Sequence, residues 1–154
     1  MCGISGSGKT FHALRLEAEG YIRVSVDKII WQRYGNKLAD LADDQKKKAF
    51  MEANQQAQCE AEALIAEGKK VVVDATHCKR SARDQMRKIC ERYNVSPLFL
   101  YLNAPKEVLA SRLAERKGIG PDDLPVSPQQ LEGYCKGFEV PTLDETDVIT
   151  ENDL

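Results

Sequence analysis

Gly3-Ile4-Ser5-Gly6-Ser7-Gly8-Lys9-Thr10 is the most informative stretch of the sequence, because glycines lead up to a lysine and a hydroxyl residue. The glycines let the backbone curl until successive N–H groups point inward, which forms a concave site for an anion. Helix-forming residues follow as far as about Glu19, so a helix N-terminus adds its dipole to the same site. The stretch therefore predicts a phosphate-binding loop. A chance match in a Gly/Ser-rich turn is the alternative, and the helix pattern that follows argues against it.

The side chains of this loop predict how it binds a nucleotide. The Lys9 ammonium is expected to bridge the β- and γ-phosphates, and the Thr10 hydroxyl is expected to bind Mg²⁺. ATP and Mg²⁺ are therefore the expected cofactors. The residues expected to bind them are Gly3, Ser5, Gly6, Ser7, Gly8, Lys9 and Thr10.

The composition is that of an ordinary globular chain. Its 154 residues suit one domain with a core, which we expect to extend over residues 1–154. Apolar residues make up 42%, too many for a disordered chain. The net charge of −2 means that any nucleic-acid contact must be a local basic surface. The sequence shows neither a membrane-span pattern nor a signal-peptide pattern, so we expect a cytoplasmic protein, and it indicates no obligatory protein partner.

The cysteines do not form a metal-binding or disulfide pattern. They are Cys2, Cys59, Cys78, Cys90 and Cys135. Their number is odd, their spacing is wide and there is no C-x-x-C motif, so a disulfide framework or a zinc site is not expected. Free thiols in a reducing compartment are the simplest interpretation.

Strand and helix patterns alternate along the chain, which predicts an α/β fold with a parallel sheet and helices on both faces. Strands are predicted at 21–26, 70–74, 97–102 and 147–150, and helices at 43–67, 80–93, 105–117 and 128–137. A phosphate-binding loop normally follows a central strand, yet only Met1 and Cys2 precede Gly3. We therefore expect a truncated first strand, through either a misassigned start or upstream residues missing from the sequence.

Two carboxylates are predicted at the carboxyl ends of strands, the edge at which open α/β sheets bind ligands. Asp27 follows the second strand and is our candidate base for a hydroxyl acceptor; its alternative role is a helix N-cap. Asp74 follows the apolar run of the third strand, as a metal-binding Walker-B carboxylate does. It could hold magnesium-bound water or contact the acceptor; the alternative is a turn aspartate.

Two arginines are spaced to share one helix face. Arg112 and Arg116 are four residues apart, and a loop rich in Gly, Pro and Asp follows them. This pattern suits a lid over about residues 112–128 that brings arginine to the transferring phosphate. Position alone leaves a solvated basic face equally possible.

With these residues in place, the chain resembles the polynucleotide-kinase and zeta-toxin-like group of P-loop kinases, whose members are often described only as predicted kinases or AAA-type ATPases. The resemblance extends over nearly the whole length. It rests on four blocks in order: the loop 3–10, Ser25-Val26-Asp27, Val72-Val73-Asp74-Ala75-Thr76-His77, and 112–116 with 138–143 downstream.

This resemblance implies a P-loop kinase fold with a five-stranded parallel sheet in the order 2-3-1-4-5. It implies that Asp27 activates the acceptor hydroxyl and that Asp74 is a second carboxylate near the acceptor. It also implies that Arg116 contacts the donor phosphates, with Arg112 as a companion, so the lid interpretation is favoured.

The chain departs from the family pattern at three positions. Phe11 follows Thr10 where a small polar residue is frequent, and His77 replaces a frequent Asn. Ile30 stands where polynucleotide kinases have an acceptor-binding arginine, and Arg33, one turn later, is a possible substitute. The Ile30 departure leaves a small-molecule acceptor as open as a nucleic-acid 5′-hydroxyl.

The leading functional hypothesis is an ATP-dependent kinase that phosphorylates a hydroxyl of a nucleic-acid end or a small molecule. A toxin-type kinase acting on an activated sugar is a second enzyme hypothesis. A P-loop ATPase or nucleotide-binding switch without an acceptor belongs to a different class and would not need Asp27 as a base. A degenerate domain without activity is a further possibility.

Overall fold

Helices and strands alternate along residues 1–152, the part of the chain that this computed structural model describes; residues 153–154 of the predicted domain lie outside it. The helices are α1 (Lys9–Ala18), α2 (Val26–Tyr34), α3 (Asp43–Ala66), α4 (Arg80–Arg92), α5 (Lys106–Ala114) and α6 (Pro128–Gly137), with a 3₁₀ turn at Gly35–Leu38. The strands are β1 (Ile22–Ser25), β2 (Val71–Asp74), β3 (Phe99–Asn103) and β4 (Val148–Asn152). The predicted α/β class is confirmed.

The strands form two parallel pairs. β1 pairs with β2 so that Ser25 lies opposite Asp74, and β3 pairs with β4 so that Phe99 lies opposite Val148. Both pairs follow the rule that parallel strands need a helical crossover between them. The carboxyl ends of β1 and β2 lie at Ser25 and Asp74, next to the start of α1.

The first three residues lie between these two pairs. The amide of Cys2 donates to Leu100 O at 2.8 Å, and the amide of Leu102 donates to Cys2 O at 2.9 Å, which forms a single parallel bridge with β3. The amino group of Met1 donates to Val73 O at 2.9 Å. A bridge residue therefore stands where the sequence predicts a shortened first strand. The complete order 2-3-1-4-5 stays a prediction, because the strands within residues 1–152 do not form one continuous five-stranded sheet.

Most element boundaries differ from the sequence prediction by one to three residues, and two of the differences have a clear local reason. β1 ends at Ser25 because the Ser25 hydroxyl accepts a hydrogen bond from the Lys28 amide and caps α2. α5 ends at Ala114 rather than 117, because the Arg116 amide bonds to Leu113 O in a tight last turn. A loop then covers residues 115–127.

A stripe of small residues on α3 lets this helix pack closely against α2 and the sheet. Its buried residues recur every four positions: Ala49, Ala53, Ala57, Ala61 and Ile65. Four alanines in such a stripe let the helix backbones approach, because no long side chain stands between them. The main core therefore lies between α3, α2 and β1, behind the carboxyl edge that carries the polar residues. Within residues 1–152, no helix is long and apolar enough to cross a membrane.

Candidate active site

The predicted phosphate-binding loop joins the bridge at Cys2 to the first turn of α1. Gly3 has a φ of +144°, and a Cβ there would lie 2.7 Å from both Leu102 O and the Ser7 hydroxyl. Only glycine fits this approach, so the loop backbone is held against β3. The Oγ of Ser7 is buried and has no hydrogen-bond partner within residues 1–152. A bound phosphate would give this hydroxyl an acceptor.

Lys9 holds its ammonium inside the loop. The residue is 8% exposed, and its Nζ donates to Ile4 O at 2.9 Å. Burial lowers the pKa of Lys9, while the charges of Asp74 and Asp27 oppose that shift. Among the described residues, no carboxylate lies within ion-pair distance of Nζ. The loop thus contains a buried cation that a phosphate would neutralise, and these residues fit the triphosphate of a nucleotide.

Thr10 and Asp74 are brought together as the sequence predicts. The Thr10 hydroxyl donates to Asp74 Oδ2 at 3.0 Å across the gap between α1 and β2. A hydroxyl and a carboxylate are oxygen ligands of the kind that Mg²⁺ prefers, with phosphate and water completing its shell. Within residues 1–152, no group of three or more His, Cys, Asp or Glu residues could hold a metal ion.

Arg23 is a member of this site that sequence reasoning missed. Its Nε and Nη2 donate to Asp74 Oδ2 at 3.1 and 2.6 Å, and its other contacts reach Asp122 of the 115–127 loop. The Arg23 side chain is only 6% exposed, so this is a mostly buried ion pair. The available signal was strand alternation: Arg23 and Ser25 share one face of β1, and Ser25 lies opposite Asp74.

Asp27 lies in the first turn of α2 and does not cap it, since Ser25 is the N-cap. Burial raises the pKa of Asp27 to about 6, and the charges of Asp74 and Asp122 act in the same direction. Lys9 and Arg116 oppose the shift. These electrostatic couplings place Asp27 in the same site as the loop lysine. A carboxylate with such a pKa is suited to accept a proton near neutral pH.

Tyr134 of α6 is the second residue of the site that sequence reasoning missed, and its charge environment includes Asp27. Burial and the charge of Asp27 both raise the pKa of the Tyr134 phenol. The side chain is still 39% exposed, so it is open to solvent beside the carboxylate. α6 therefore contributes to the side of the site on which an acceptor would lie.

The two predicted lid arginines point to different places, which corrects the expectation of a shared helix face. α5 ends before Arg116, whose Nη1 donates to Leu124 O in the loop at 2.9 Å. Its charge acts on both Lys9 and Asp27. Arg112 lies within α5, and its Nη1 donates to Gly6 O at 3.2 Å. Arg116 thus bonds to the 115–127 loop within electrostatic reach of Asp27, whereas Arg112 contacts the phosphate loop at Gly6.

A cavity of about 450 Å³ adjoins the phosphate loop on the side of Arg112. Its lining comes from the start of α1, from α5 and from the ends of β3 and β4: Ser7, Gly8, Phe11, His12, Leu102, Arg112, Glu151 and Asn152. It combines an aromatic ring, a guanidinium and an amide beside a phosphate loop. Such a lining suits the base and sugar of a nucleotide.

His77 and Arg33 lie outside the reacting part of the site. His77 is 8% exposed, its Nδ1 lies 2.7 Å from Met1 O, and burial lowers its pKa to about 3. It is a buried residue that contacts the segment just before the phosphate loop. Arg33 pairs with Glu52 at 3.4 Å and also contacts Gln56 on α3, so it does not replace the missing arginine at Ile30. Ile30 itself is fully buried in the core.

A glycine-rich loop before α1, a buried lysine and a Thr–Asp pair at the edge of a parallel sheet define a P-loop nucleotide-binding fold. Residues 1–141 match the model of the AAA domain family, and the chain belongs to that family. No curated protein sequence matches the chain.

Solved structures of similar fold are P-loop kinases and related proteins. A gluconokinase from Sinorhizobium meliloti 1021 is 24% identical, with a TM-score of 0.67 over 98% of this chain and 79% of that one. A sugar kinase from Janibacter sp. HTCC2649 is 22% identical, with a TM-score of 0.68 over 98% of this chain and 82% of that one. Kti12 from Chaetomium thermophilum, solved with ADP-AlF3, is 17% identical, with a TM-score of 0.65 over 98% and 86%. The chain therefore has the P-loop kinase fold.

Proposed function

We propose that this chain is an ATP-dependent kinase that transfers the γ-phosphate to a hydroxyl group. The observation that carries the proposal is the electrostatic coupling of Asp27 to Lys9, Asp74 and Arg116 at one edge of the sheet. A nucleotide-binding switch needs the lysine and the Thr–Asp pair, but it does not need a further carboxylate of raised pKa beside them.

The donor half of the proposed site is the phosphate loop and the cavity beside it. Loop amides and Lys9 would hold the β- and γ-phosphates, and Thr10 with Asp74 would hold Mg²⁺. The metal would neutralise charge on the phosphates. Arg112 and the cavity would bind the nucleoside, and Arg116 would stabilise charge on the transferring group.

The acceptor half is centred on Asp27. Its carboxylate would accept the proton of the acceptor hydroxyl as the oxygen attacks the γ-phosphorus. The bond from that phosphorus to the β–γ bridging oxygen breaks, and ADP leaves with the bonding electrons. Burial of the carboxylate makes it a stronger base than an exposed aspartate, which suits this role.

A small-molecule acceptor is favoured over a nucleic-acid end. Ile30 is buried in the core and Arg33 is paired with α3, so neither offers a cation to a polynucleotide phosphate. Two similar folds are named as a gluconokinase and a sugar kinase, which adds polyols to the candidates. The free cysteines accord with the proposal of a cytoplasmic enzyme.

A P-loop ATPase is the second candidate, because the fold of Kti12 is also similar. The test incubates the protein with γ-³²P-ATP and Mg²⁺, with or without panels of polyols, sugar acids, nucleosides, aminoglycosides and 5′-hydroxyl oligonucleotides. We expect ATP consumption to rise at least about tenfold with one panel and label to appear in its members. Rapid release of phosphate to water that no panel changes would support the ATPase instead.

A further inference from the structure

Arg23 is a nearly buried cation in the site that the proposed phosphoryl transfer does not use. It extends from β1 between two carboxylates, Asp74 at the sheet edge and Asp122 of the 115–127 loop. Asp74 is 5% exposed at its side chain, and its Oδ2 also accepts from Thr10. Asp74 is thus a fixed partner that belongs to the donor half of the site.

The contact with Asp122 has a different geometry. Nη1 of Arg23 donates to Asp122 Oδ2 at 3.2 Å, and Nη2 donates to Oδ1 at 2.5 Å. Two parallel bonds from one guanidinium to two oxygens are the arrangement by which arginine recognises a carboxylate or a phosphate. The Asp122 side chain is 36% exposed and belongs to a loop, so another anion can take its place.

This ion pair lies at the start of the helix that carries the proposed base, because Nη2 of Arg23 also donates to the hydroxyl of Ser25, the N-cap of α2, at 3.5 Å, and Asp27 is in the first turn of α2. The charge of Asp122 contributes to raising the pKa of Asp27, so the anion on Arg23 is within electrostatic reach of that carboxylate. A small molecule with its anion on Arg23 could therefore present a hydroxyl to Asp27. Lys9 and Arg116 also act on Asp27, but they belong to the donor phosphates in the proposed reaction.

We propose that Arg23 is a specificity residue for an acidic acceptor, a small polyol whose carboxylate or phosphate replaces the Asp122 carboxylate. The inference rests on the proposed kinase function and names the substrate class of that site. Asp122 keeps Arg23 paired and the loop attached to the sheet while the acceptor is absent. Only the Nη1/Nη2 edge of Arg23, now on Asp122, would be exchanged, so the site accepts a single anionic group. Asp27, Asp74 and Asp122 together would repel a polynucleotide backbone.

The test measures binding first, without turnover. D-gluconate and sorbitol have the same carbon skeleton and differ in one carboxylate, and glycerol 3-phosphate and glycerol form a matched pair for phosphate. Calorimetric titrations with ADP present should show at least about tenfold tighter binding of one acid than of its neutral partner. Equal binding within both pairs, or tighter binding of a 5′-hydroxyl RNA oligonucleotide, would overturn the inference.

Two variants test the role of the ion pair. Arg23→Gln should weaken binding of the preferred acid by about thirtyfold or more and leave the neutral partner unchanged. Asp122→Asn removes the competing charge without leaving a buried one, so it should tighten acid binding by about two- to fivefold. Arg33→Gln is the matched control, because Arg33 pairs with α3 outside the site.

Kinetics then separates the inference from the proposed function. With ATP, Asp122→Asn should lower KM for the acid and leave its kcat within about twofold. A raised or unchanged dissociation constant for the acid in Asp122→Asn would overturn the inference even if Arg23→Gln fails to fold. Binding of the acid through Arg23 with no phosphoryl transfer to it would support the inference and refute the kinase proposal.

Discussion

Burial of the Asp27 carboxylate lowers the stability of the fold and at the same time makes this carboxylate a suitable base. Burial raises its pKa to about 6, so the carboxylate loses its proton near neutral pH. Lys9 and Arg116 limit the shift and keep the ionised form accessible. The same environment that makes this aspartate a better base makes it a worse residue for folding.

The pH dependence of the reaction should follow the ionisation of Asp27. If Asp27 accepts the proton of the acceptor, kcat/KM should fall about tenfold per pH unit below about pH 6 and be flat above it. Initial rates from pH 5 to 8 in a constant-ionic-strength buffer measure this profile. A profile that stays flat down to pH 5 would argue against Asp27 as the base.

The stability of the protein should rise when Asp27 is replaced by the neutral Asp27→Asn. The folded pKa lies above the unfolded value of 3.8, so ionisation costs little at pH 4, progressively more up to pH 6, and its full amount above pH 6. The variant should gain about 2 to 3 kcal/mol in free energy of unfolding at pH 7.5 and almost nothing at pH 4. Urea unfolding at both values measures the difference, with exposed Asp40→Asn as control. A gain that does not depend on pH would contradict this explanation.

Motif chemistry predicted some of these residues and missed others. Lys9, Thr10, Asp27 and Asp74 follow from the loop and from carboxylates at strand ends, and the structure brings them together. Arg23 was missed because an arginine in a strand normally marks a solvent-facing position, although alternation places it on the same face as Ser25, which lies opposite Asp74. The burial of Arg23 depends on the packing of a loop a hundred residues later, which no local pattern records.

The segment before β4 is attached to α4 by buried charges. Arg83 is fully buried, and its Nε and Nη2 each donate to Glu145 at 2.7 Å. Arg87 adds a bond to Glu145 at 2.8 Å and pairs with Asp147. Arg83 also donates to His77 O at 3.0 Å, so the same ion-pair network is bonded to the loop after β2.

Loss of the Glu145 charge should destabilise the whole fold. Glu145→Gln leaves the guanidinium of Arg83 buried without its counter-charge, and we expect a loss of about 3 to 5 kcal/mol in free energy of unfolding. Asp144→Asn is the matched control: its side chain is 63% exposed where it pairs with Arg80, so this variant should lose much less stability than Glu145→Gln. Urea denaturation compares the two. Losses of similar size in the free energy of unfolding would show that burial does not determine the strength of the Arg83–Glu145 ion pair.

The elements themselves were largely predictable from local signals. α4 and α6 begin at the predicted residues, and for α6 the Ser127 cap and the first-turn proline explain why. α5 ends at Ala114, before the predicted end at residue 117, because its last turn tightens at Arg116. The separation of Arg112 from Arg116 follows from that turn and could not be read from their spacing.

In the molecule as a whole, a three-residue segment links two pairs of strands. Met1, Cys2 and Gly3 bond to β2, to β3 and to the loop after β2, so the phosphate loop starts from the centre of the structure. The loop over residues 115–127 closes the opposite side, with Leu124 buried in the main core and Asp122 on Arg23. Donor and acceptor sides thus meet at one edge. The strand order was implied by family resemblance alone, because hydrogen bonds between distant segments leave no local pattern.

The separation of ATP binding from phosphoryl transfer in Asp27→Asn tests this account most directly. Calorimetry with Mg·ATP and γ-³²P transfer to the acceptor panels are measured on the wild type and on Asp27→Asn. We expect the Kd for ATP to stay within about twofold while transfer falls by about 10² to 10⁴. Transfer at the wild-type rate in Asp27→Asn would contradict the proposed base, and so would a loss of transfer that only follows a loss of ATP binding.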